Sequence, residues 1–212
     1  MLQNMKGAIF DLDGVIVDTA KYHYLAWASL ADELGFTFTE EDNERLKGVS
    51  RMRSLDILLE VGGLQFEEAE KLAMAEKKNR LYVEYISKLE ESELLPGVKE
   101  YLTGLRTRGI GIALGSASKN AEFILNKLNI TDLFDAVVDG NKVSLAKPDP
   151  EVFLIAGQEL GLQPDECVVF EDAEAGVQAG KAAGMKAVGI GKPEVLKEAD
   201  MVVKGLYELL TD

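Results

Sequence analysis

The sequence predicts an α/β protein with a doubly wound, mostly parallel sheet and an inserted α-helical cap domain. Short, continuous apolar runs alternate with amphipathic segments through the second half of the chain, which is typical of parallel strands buried on both faces. One similar run, Ala8-Ile9-Phe10, stands near the N-terminus, and from about Ala20 to Glu91 every pattern is helical. We therefore expect a helical insertion of roughly 70 residues after the first strand.

Further apolar runs predict the remaining strands, at Ile110–Leu114, Ala136–Val138, Val168–Phe170, Ala187–Ile190 and Met201–Val203. Helical patterns lie around and between them, at Gly97–Arg108, Asn120–Leu128, Pro150–Leu160 and Ala175–Ala183. Glycines stand where such helices should end, at Gly109, Gly161 and Gly184. This alternation of strand and helix predicts a parallel sheet with helices on both sides.

The insertion carries three helical patterns. The first is an apolar stripe that ends at Gly35, and the second covers Met52–Val61 with Ser50 as a suitable N-cap. A long helix follows Gln65, and Lys78-Asn79 places polar groups on its apolar face. We expect these helices to pack together as one cap.

The domain boundaries follow from this pattern, because Pro96-Gly97 marks the return to the α/β domain. We expect residues 1–17 and 93–212 to form the α/β catalytic core and residues 18–92 the helical cap. A chain of 212 residues buries enough surface to fold without a disulfide or a structural metal. Its one cysteine, Cys167, excludes an intramolecular disulfide and lies in an apolar run, so we expect it to be buried.

The composition narrows the classes of function. Lys and Arg number 23 against 37 Asp and Glu, which gives a formal net charge of −14. Such an acidic surface repels nucleic acids and anionic membranes, and we expect neither as a partner. A small anionic substrate is still compatible, since a cation can reverse the field locally. No apolar run reaches the roughly 18 residues of a membrane span and no signal peptide is evident, so we expect a cytoplasmic protein. We also expect a monomer.

The residues that follow the predicted strands carry the functional signal, because ligands of open α/β sheets bind beyond the carboxyl ends of the strands. The first strand ends in Asp11-Leu12-Asp13-Gly14. If the strand continues through them, the two carboxylates point the same way, and such close charges raise one another's pKa or require a cation. Two solvated loop acids are the alternative interpretation.

Three other strand ends also carry polar groups. The strand Ile110–Leu114 runs into Gly115–Asn120, whose hydroxyls, N–H groups and lysine could bind an anion; a simple serine N-cap is the alternative. Lys147 stands beside two prolines in Lys147-Pro148-Asp149-Pro150, either as an anion ligand or as a surface lysine. Val168–Phe170 ends in Glu171-Asp172, a second acidic pair.

Together the strand ends would bring Asp-x-Asp, Ser-x-Ser-Lys, a lysine and Glu-Asp to one edge of the sheet. Acids without histidine or cysteine suit a hard cation that prefers oxygen ligands, and Mg²⁺ fits best. Mg²⁺ flanked by lysine and serine suits a phosphate group. The sequence therefore predicts phosphoryl chemistry.

The set resembles the haloacid dehalogenase superfamily of phosphotransferases over the whole chain, in Asp11-Leu12-Asp13-Gly14-Val15, Ser116, Lys147 and Glu171-Asp172. The resemblance implies a haloacid dehalogenase-like core. It implies that Asp11 is the nucleophile and becomes an aspartyl phosphate, and that Asp13 is the general acid/base. Ser116 and Lys147 would hold the oxygens of the phosphoryl group in transfer.

The same resemblance implies a metal site. Mg²⁺ would be held by Asp11, the carbonyl of Asp13 and Asp172, with Glu171 close to it. A carboxylate attacks a phosphate only if the two negative charges are neutralised, which Mg²⁺ and Lys147 together would do.

Within the superfamily, the chain most resembles one branch, the β-phosphoglucomutases. This resemblance is carried by Asp18–Trp27, Leu46–Arg51, Ser116–Asn120 and Lys78-Asn79. The resemblance implies interconversion of β-D-glucose 1-phosphate and glucose 6-phosphate through the 1,6-bisphosphate. A mutase of this kind needs a second anion site, because the bisphosphate must be held by one end while the other end reacts.

The resemblance assigns hexose-phosphate ligands in both domains. His23 and Trp27 would lie near the sugar, although a surface histidine and a core tryptophan are the alternatives from position alone. Arg51 with Ser118, Lys119 and Asn120 would bind the distal phosphate, the one that is not in transfer. The complete implied substrate-binding set is His23, Trp27, Lys47, Gly48, Arg51, Lys78, Ser116, Ala117, Ser118, Lys119, Asn120 and Lys147.

Three other functions stay open at this point. A Mg²⁺-dependent sugar-phosphate phosphatase of the same superfamily is the main alternative. A receiver-type phosphoacceptor module also places acids, a hydroxyl and a lysine at strand ends, but it has no reason to carry so large a cap. A non-enzymatic sugar-phosphate binder would not need Asp13 as an acid.

Overall fold

The chain forms two compact units, as seen in a computed structural model that describes residues 2–46 and 49–210 apart from the side chain of Gln3. One, the core unit, comprises Met1–Asp18 and Glu90–Asp212, and the other, the helical unit, comprises Thr19–Leu89. Lys47 and Gly48 lie outside the described residues. The predicted fold class is confirmed, because the core unit is a parallel sheet flanked by helices and the described part of the helical unit contains only helices and loops.

The strands of the core unit are β1 (Gly7–Phe10), β2 (Gly111–Gly115), β3 (Ala136–Val138), β4 (Cys167–Glu171), β5 (Lys186–Ile190) and β6 (Met201–Val203). They form a six-stranded sheet in the order β3-β2-β1-β4-β5-β6 over the described residues. Neighbouring strands are parallel, and Ile9 of β1 is in register with Ala113 of β2 and Val169 of β4. The carboxyl ends of β1, β2 and β4 therefore lie side by side, and the residues that follow them meet at one edge.

The helices of the helical unit are α1 (Ala20–Leu34), α2 (Glu40–Glu44), α3 (Arg51–Gly62) and α4 (Glu68–Ile86). Those of the core unit are α5 (Val98–Thr107), α6 (Ala121–Lys127), α7 (Glu151–Glu159) and α8 (Glu174–Ala182). Short 3₁₀ turns cover Leu2–Asn4, Glu91–Glu93, Thr131–Leu133, Pro164–Glu166 and Leu206–Leu209. No helix among the described residues is long and apolar enough to cross a membrane.

The predicted elements of the core unit are confirmed, with ends within one residue of the prediction. Gly109, Gly161 and Gly184 have positive φ angles of 71°, 70° and 77°, as expected for residues that follow the ends of helices. Cys167 is confirmed as buried, and burial, with smaller contributions from nearby acids, raises the pKa of its thiol to about 11. The thiol is therefore protonated and unreactive at neutral pH.

The sequence did not predict α2. Thr39 starts this short helix through a reciprocal capping box, in which its hydroxyl accepts the N–H of Asp42 and the Asp42 carboxylate accepts the N–H of Thr39. A hydrogen bond from the Thr39 hydroxyl to the Asp42 carboxylate, together with the bond from the Thr39 N–H, lowers the pKa of Asp42. Five polar residues have no apolar periodicity, so only the capping box could have revealed the helix.

The strand β1 ends at Phe10 and does not continue through Asp11 and Asp13. Strand alternation therefore does not orient the two carboxylates, although the sequence allowed for that arrangement. The chain instead turns, because the N–H of Val17 donates to the carbonyl of Leu12 and the N–H of Gly14 donates to the carbonyl of Val17. Gly14 has a φ of 78°, which only glycine adopts without strain. The two aspartates are thus placed by a tight turn rather than by strand alternation.

An aromatic cluster packs beside the two central strands. The rings of Phe10 and Phe170 stack with 4.5 Å between centroids, and the ring of Tyr101 meets each of them at an edge. Phe10 and Phe170 are fully buried, and each directly precedes an acidic residue. Their packing fixes the ends of β1 and β4, from which Asp11 and Glu171 emerge.

Candidate active site

Lys147 joins three elements at the carboxyl edge of the sheet. Its Nζ donates to Asp11 Oδ1 at 2.6 Å, to Glu171 Oε1 at 2.6 Å and to the carbonyl of Gly115 at 3.1 Å. These three acceptors match the three protons of an ammonium group. The side chain of Lys147 is 2% exposed, so the two ion pairs are shielded from water. One buried cation thus holds two carboxylates in fixed positions.

The protonation of this group follows from its surroundings. Burial by itself lowers the pKa of Lys147, but the carboxylates of Asp11 and Glu171 outweigh burial and raise the pKa above its ordinary value. Burial, opposed by Lys147 and reinforced by Asp11, raises the pKa of Glu171. Lys147 is therefore a permanent positive charge at physiological pH.

Two glycines leave room for the acidic pair at the end of β4. A Cβ atom built on Gly14 would overlap the carboxylate of Asp172, and one built on Gly176 would overlap the carboxylate of Glu171. Glu171 Oε2 also accepts the N–H of Ala173 at 2.9 Å, which leaves that carboxylate little freedom. Gly14 belongs to the Asp11–Val15 motif, whereas nothing in the sequence pattern predicts the need for glycine at Gly176, although Gly176 closely follows the acidic pair.

A group of carboxylates that could hold a metal lies here. Asp11, Glu171 and Asp172 each offer an oxygen, and these oxygens lie within 4.8 Å of one another. Oxygen ligands without nitrogen or sulfur suit a hard divalent cation. Both oxygens of Glu171 already accept protein donors, whereas Asp11 uses Oδ1 for Lys147. The residues present therefore fit a metal ion bound mainly by the two aspartates.

In the loop after β2, serine hydroxyls accept hydrogen bonds from N–H groups of the same loop. Ser116 is 2% exposed and its N–H donates to the carbonyl of Val138 at 2.9 Å. Ser116 Oγ accepts the N–H of Ser118 at 3.1 Å, and Ser118 Oγ accepts the N–H of Asn120 at 3.3 Å. Lys119 is exposed. We call Ser116–Asn120 the phosphate loop, after its predicted ligand.

A second cluster lies within the helical unit. Lys78, only 4% exposed, places its Nζ 2.7 Å from His23 Nδ1 and 4.4 Å from the centroid of the Trp27 ring. The His23 ring stacks on Tyr82 at 4.0 Å, and the Tyr82 hydroxyl donates to Thr19 Oγ1 at 3.2 Å. Lys78, His23 and Trp27 are predicted from the sequence, whereas Tyr82 is not, because its position in an apolar helical pattern is typical of a core aromatic residue.

The charge state of His23 follows from this cluster. Burial lowers the pKa of His23 well below its ordinary value, and the positive charges of Lys78 and Arg51 lower it further. The ring is therefore neutral at pH 7. Because the Lys78 ammonium donates to Nδ1, the proton of the neutral ring lies on Nε2. The cluster thus offers a donor N–H at His23 Nε2.

Arg51 is the first residue of α3, one residue before the predicted start at Met52. Ser50 caps this helix, as predicted, by accepting the N–H of Arg53 at 3.3 Å. Burial lowers the pKa of Arg51, which still carries its charge at pH 7. The structure thus brings Asp11, Lys147, Glu171 and Asp172 together in the core unit and His23, Trp27 and Lys78 together in the helical unit. Lys47 and Gly48 lie outside the described residues.

Comparison with known proteins identifies the class. The family model of haloacid dehalogenase-like hydrolases matches residues 5–184. The chain therefore belongs to the haloacid dehalogenase-like family, as its sequence resemblance indicated.

Particular relatives are closely similar over nearly the whole chain. A β-phosphoglucomutase of Bacillus subtilis is 46% identical over 207 residues, which cover 97% of this chain and 92% of that protein. The fructose-1-phosphate phosphatase YqaB of Escherichia coli is 35% identical, covering 90% and 98%. The crystal structure of a β-phosphoglucomutase from Clostridium difficile matches with a TM-score of 0.93 at 45% identity, covering 97% of this chain and 93% of that one.

Proposed function

We propose that this enzyme is a β-phosphoglucomutase, which interconverts β-D-glucose 1-phosphate and glucose 6-phosphate through an aspartyl-phosphate enzyme and β-glucose 1,6-bisphosphate. The observation that carries the proposal is the buried Asp11 carboxylate at the end of β1, held by Lys147 and flanked by Glu171 and Asp172. The relatives of highest identity named above are themselves β-phosphoglucomutases. This arrangement serves a carboxylate nucleophile that attacks an anionic phosphate.

Asp11 acts as the nucleophile in this proposal. Lys147 holds the Asp11 carboxylate in a fixed orientation through Oδ1. The oxygen–phosphorus bond to Asp11 forms as the bond to the sugar oxygen breaks. Lys147 remains charged throughout and offsets the negative charge of the phosphoryl oxygens, with Ser116 as a further donor. The fixed cation lowers the barrier for attack of one anion on another.

Asp13 moves the proton. When the phosphoryl group leaves the sugar, a protonated Asp13 donates to the departing oxygen. When a second sugar attacks phospho-Asp11, ionised Asp13 takes the proton of the attacking hydroxyl and the bond to Asp11 breaks. Because the same group works in both directions, Asp13 returns to its starting state after each full cycle.

We assign the metal as Mg²⁺, held by Asp11, Asp172 and the Asp13 carbonyl, with Glu171 next to it. When bound, it neutralises charge on the phosphoryl oxygens and on Asp11. Glu171 acts mainly on Lys147, because both of its oxygens accept protein donors. The choice of Mg²⁺ rests on the oxygen-only ligand set.

The substrate is a hexose phosphate, and we assign its ligands separately in the two units. In the core unit, Ser116 and Lys147 bind the phosphate in transfer, and Ser118, Lys119 and Asn120 bind the distal phosphate, with Ala117 among the substrate-binding residues. In the helical unit, His23, Trp27 and Lys78 serve the sugar, and Lys47, Gly48 and Arg51 serve the distal phosphate. The monomeric state, the cytoplasmic location and the division into a core of 1–17 and 93–212 and a cap of 18–92 stay predictions.

One assay tests the proposal against the phosphatase alternative. The enzyme is incubated with β-glucose 1-phosphate, Mg²⁺ and catalytic β-glucose 1,6-bisphosphate, and glucose 6-phosphate and free phosphate are measured together. We expect glucose 6-phosphate to dominate, and Asp11→Asn to abolish its formation because an amide cannot supply the anionic nucleophile. Release of free phosphate without glucose 6-phosphate would make the protein a phosphatase.

A further inference from the structure

The turn that follows β3 holds the phosphate loop through hydrogen bonds. We call this turn, Asp139-Gly140-Asn141, the clamp turn. The N–H of Gly140 donates to the carbonyl of Ser118 at 3.2 Å, and Asn141 Nδ2 donates to the carbonyl of Lys119 at 3.1 Å. Two consecutive carbonyls of the phosphate loop thus accept hydrogen bonds from two consecutive residues of the clamp turn.

The Asn141 side chain is itself held in place. Its Nδ2 also donates to Asp139 Oδ2 at 2.9 Å, so both amide protons have acceptors. Its N–H donates to Asp139 Oδ1 at 2.9 Å, and Asp139 is 7% exposed. The buried carboxylate therefore orients the amide that binds the phosphate loop.

These bonds determine where the N–H groups of the loop point. In a trans peptide the carbonyl and the following N–H point in opposite directions. The Ser118 carbonyl points toward the clamp turn, so the N–H of Lys119 points away from it. The Lys119 carbonyl likewise points toward the clamp turn, and the N–H of Asn120 points away and donates to Ser118 Oγ at 3.3 Å. The clamp turn thus presents these two peptide units with their N–H sides away from β3.

Position 140 requires glycine because there is no space for a side chain, and not because of the backbone conformation. A Cβ atom built at this position would overlap the carbonyl oxygen of Ala117 and lie 3.1 Å from Lys119 Cγ. Its φ is outside the left-handed region, so a side chain could be accommodated only if the phosphate loop moved. Any residue other than glycine would therefore displace the loop.

We propose that Gly140 and Asn141 are positioning residues for the mutase reaction: they fix the peptide planes of Ser118–Asn120 so that the loop is prearranged for the distal phosphate. The proposal rests on the proposed function, since only a bisphosphate-handling enzyme uses a distal anion site. The clamp turn acts on affinity for the bisphosphate and leaves the phosphoryl group on Asp11 untouched.

The first test is Asn141→Ala, with Asn141→Leu as a variant of similar size that lacks polar atoms. We expect both to raise the KM for β-glucose 1,6-bisphosphate about tenfold, the effect of one misaligned hydrogen-bonding unit, with little change in kcat. The rate at which acetyl phosphate phosphorylates Asp11 should stay at the wild-type value. Asn126→Ala is the matched control, because the exposed Asn126 side chain on α6 accepts the Thr131 hydroxyl at 2.8 Å.

The second test is Gly140→Ala, compared with Gly104→Ala. A Cβ atom at Gly104, within α5, meets nothing within 4 Å, so Gly104→Ala adds the same methyl group at a harmless place. We expect Gly140→Ala to raise the KM for the bisphosphate more than Asn141→Ala does, and Gly104→Ala to leave it unchanged. Circular dichroism and urea unfolding establish that each variant is folded.

Ser118→Ala distinguishes a failure of the positioning role from a failure of the proposed function. If wild type transfers phosphate and Ser118→Ala raises the bisphosphate KM while the Gly140 and Asn141 variants do not, the positioning role is wrong and the proposed function stands. If the clamp variants lower bisphosphate use and acetyl phosphate use equally, their role is merely structural and the proposal is also wrong. If wild type forms no glucose 6-phosphate, the proposed function itself fails.

Discussion

The ammonium group of Lys147 is the charge on which the arrangement of the site depends. It binds Asp11 and Glu171, which lie 136 and 24 positions away in the chain, and it is shielded from water. Without it, two buried carboxylates would face each other unneutralised. Because its pKa is raised, this contribution to stability is fully present below pH 10.5, the unfolded value, and is lost only as pH rises through the folded value.

Asp13→Asn should separate the two halves of acid/base catalysis. We expect the rate of transfer to and from sugar hydroxyls to fall about 10²–10⁴-fold, because no group remains to carry the proton. Phosphorylation of Asp11 by acetyl phosphate should fall far less, since acetate leaves without protonation. The measurement is kcat/KM with each donor, and equal losses with both donors would contradict the assigned role.

His23 should titrate at unusually low pH. It is the single histidine of the chain, so its ring protons can be followed by NMR without assignment. We expect no protonation near the ordinary value of 6.5, because burial and the charges of Lys78 and Arg51 oppose it. The control is Lys78→Met, which removes one charge and should raise the pKa. A wild-type pKa near 6.5 would show that the ring is solvated.

The same shift makes stability depend on pH. The unfolded chain takes up a proton at His23 near pH 6.5, whereas the folded chain does so only at lower pH. Unfolding therefore binds a proton below pH 6.5, and the free energy of unfolding should fall as pH decreases from there. His23→Gln should remove this part of the loss, which urea unfolding at pH 7 and pH 5.5 measures. An unchanged pH dependence in the variant would rule out the contribution of His23.

The strands and helices of the core unit could be predicted because the central strands β1, β2 and β4 are buried on both faces. Runs such as Val168–Phe170 are then continuous in apolar residues, and the glycines after the helices mark their ends. The acids and Lys147 could be predicted as strand-end residues for the same reason. The clamp turn could not, because the contacts of Gly140 and Asn141 are with a loop far away in the sequence.

Gly176→Ala tests how tightly α8 packs against the acidic pair. The added methyl group would overlap the Glu171 carboxylate, which its bonds to Lys147 and Ala173 keep from moving away. We expect the free energy of unfolding to fall by about 1–3 kcal/mol, as in other overpacked sites, and turnover to fall with it. Urea unfolding measures the first quantity.

Gly104→Ala is again the control, because alanine is favoured over glycine in an open helical position and should slightly stabilise the protein. A Gly176→Ala variant as stable and as active as wild type would mean that the Glu171 carboxylate can relax. The close packing described for the site would then be wrong.

Arg51→Ala should distinguish mutase from phosphatase in the whole enzyme. We expect the mutase rate to fall about a hundredfold, the effect of losing a charged contact to phosphate. Hydrolysis of acetyl phosphate should change little, because that molecule has no distal phosphate. Arg53→Ala is the matched control, since Arg53 lies on the same helix and pairs with Glu60 in solvent. If Arg51→Ala lowers both activities equally, Arg51 is not a ligand of the distal phosphate.

In the proposed reaction, each phosphoryl group passes from one sugar to Asp11 and then to another sugar. This transfer is tested most directly with β-glucose 1-phosphate labelled with ¹³C in the sugar and ¹⁸O in the terminal phosphate oxygens, mixed with unlabelled substrate. Mass spectrometry of the glucose 6-phosphate formed measures how the two labels are distributed. We predict that they are distributed independently, because the phosphate and the sugar of each molecule part at Asp11. If the labels stay together, or the ¹⁸O appears only in free phosphate, the account is wrong.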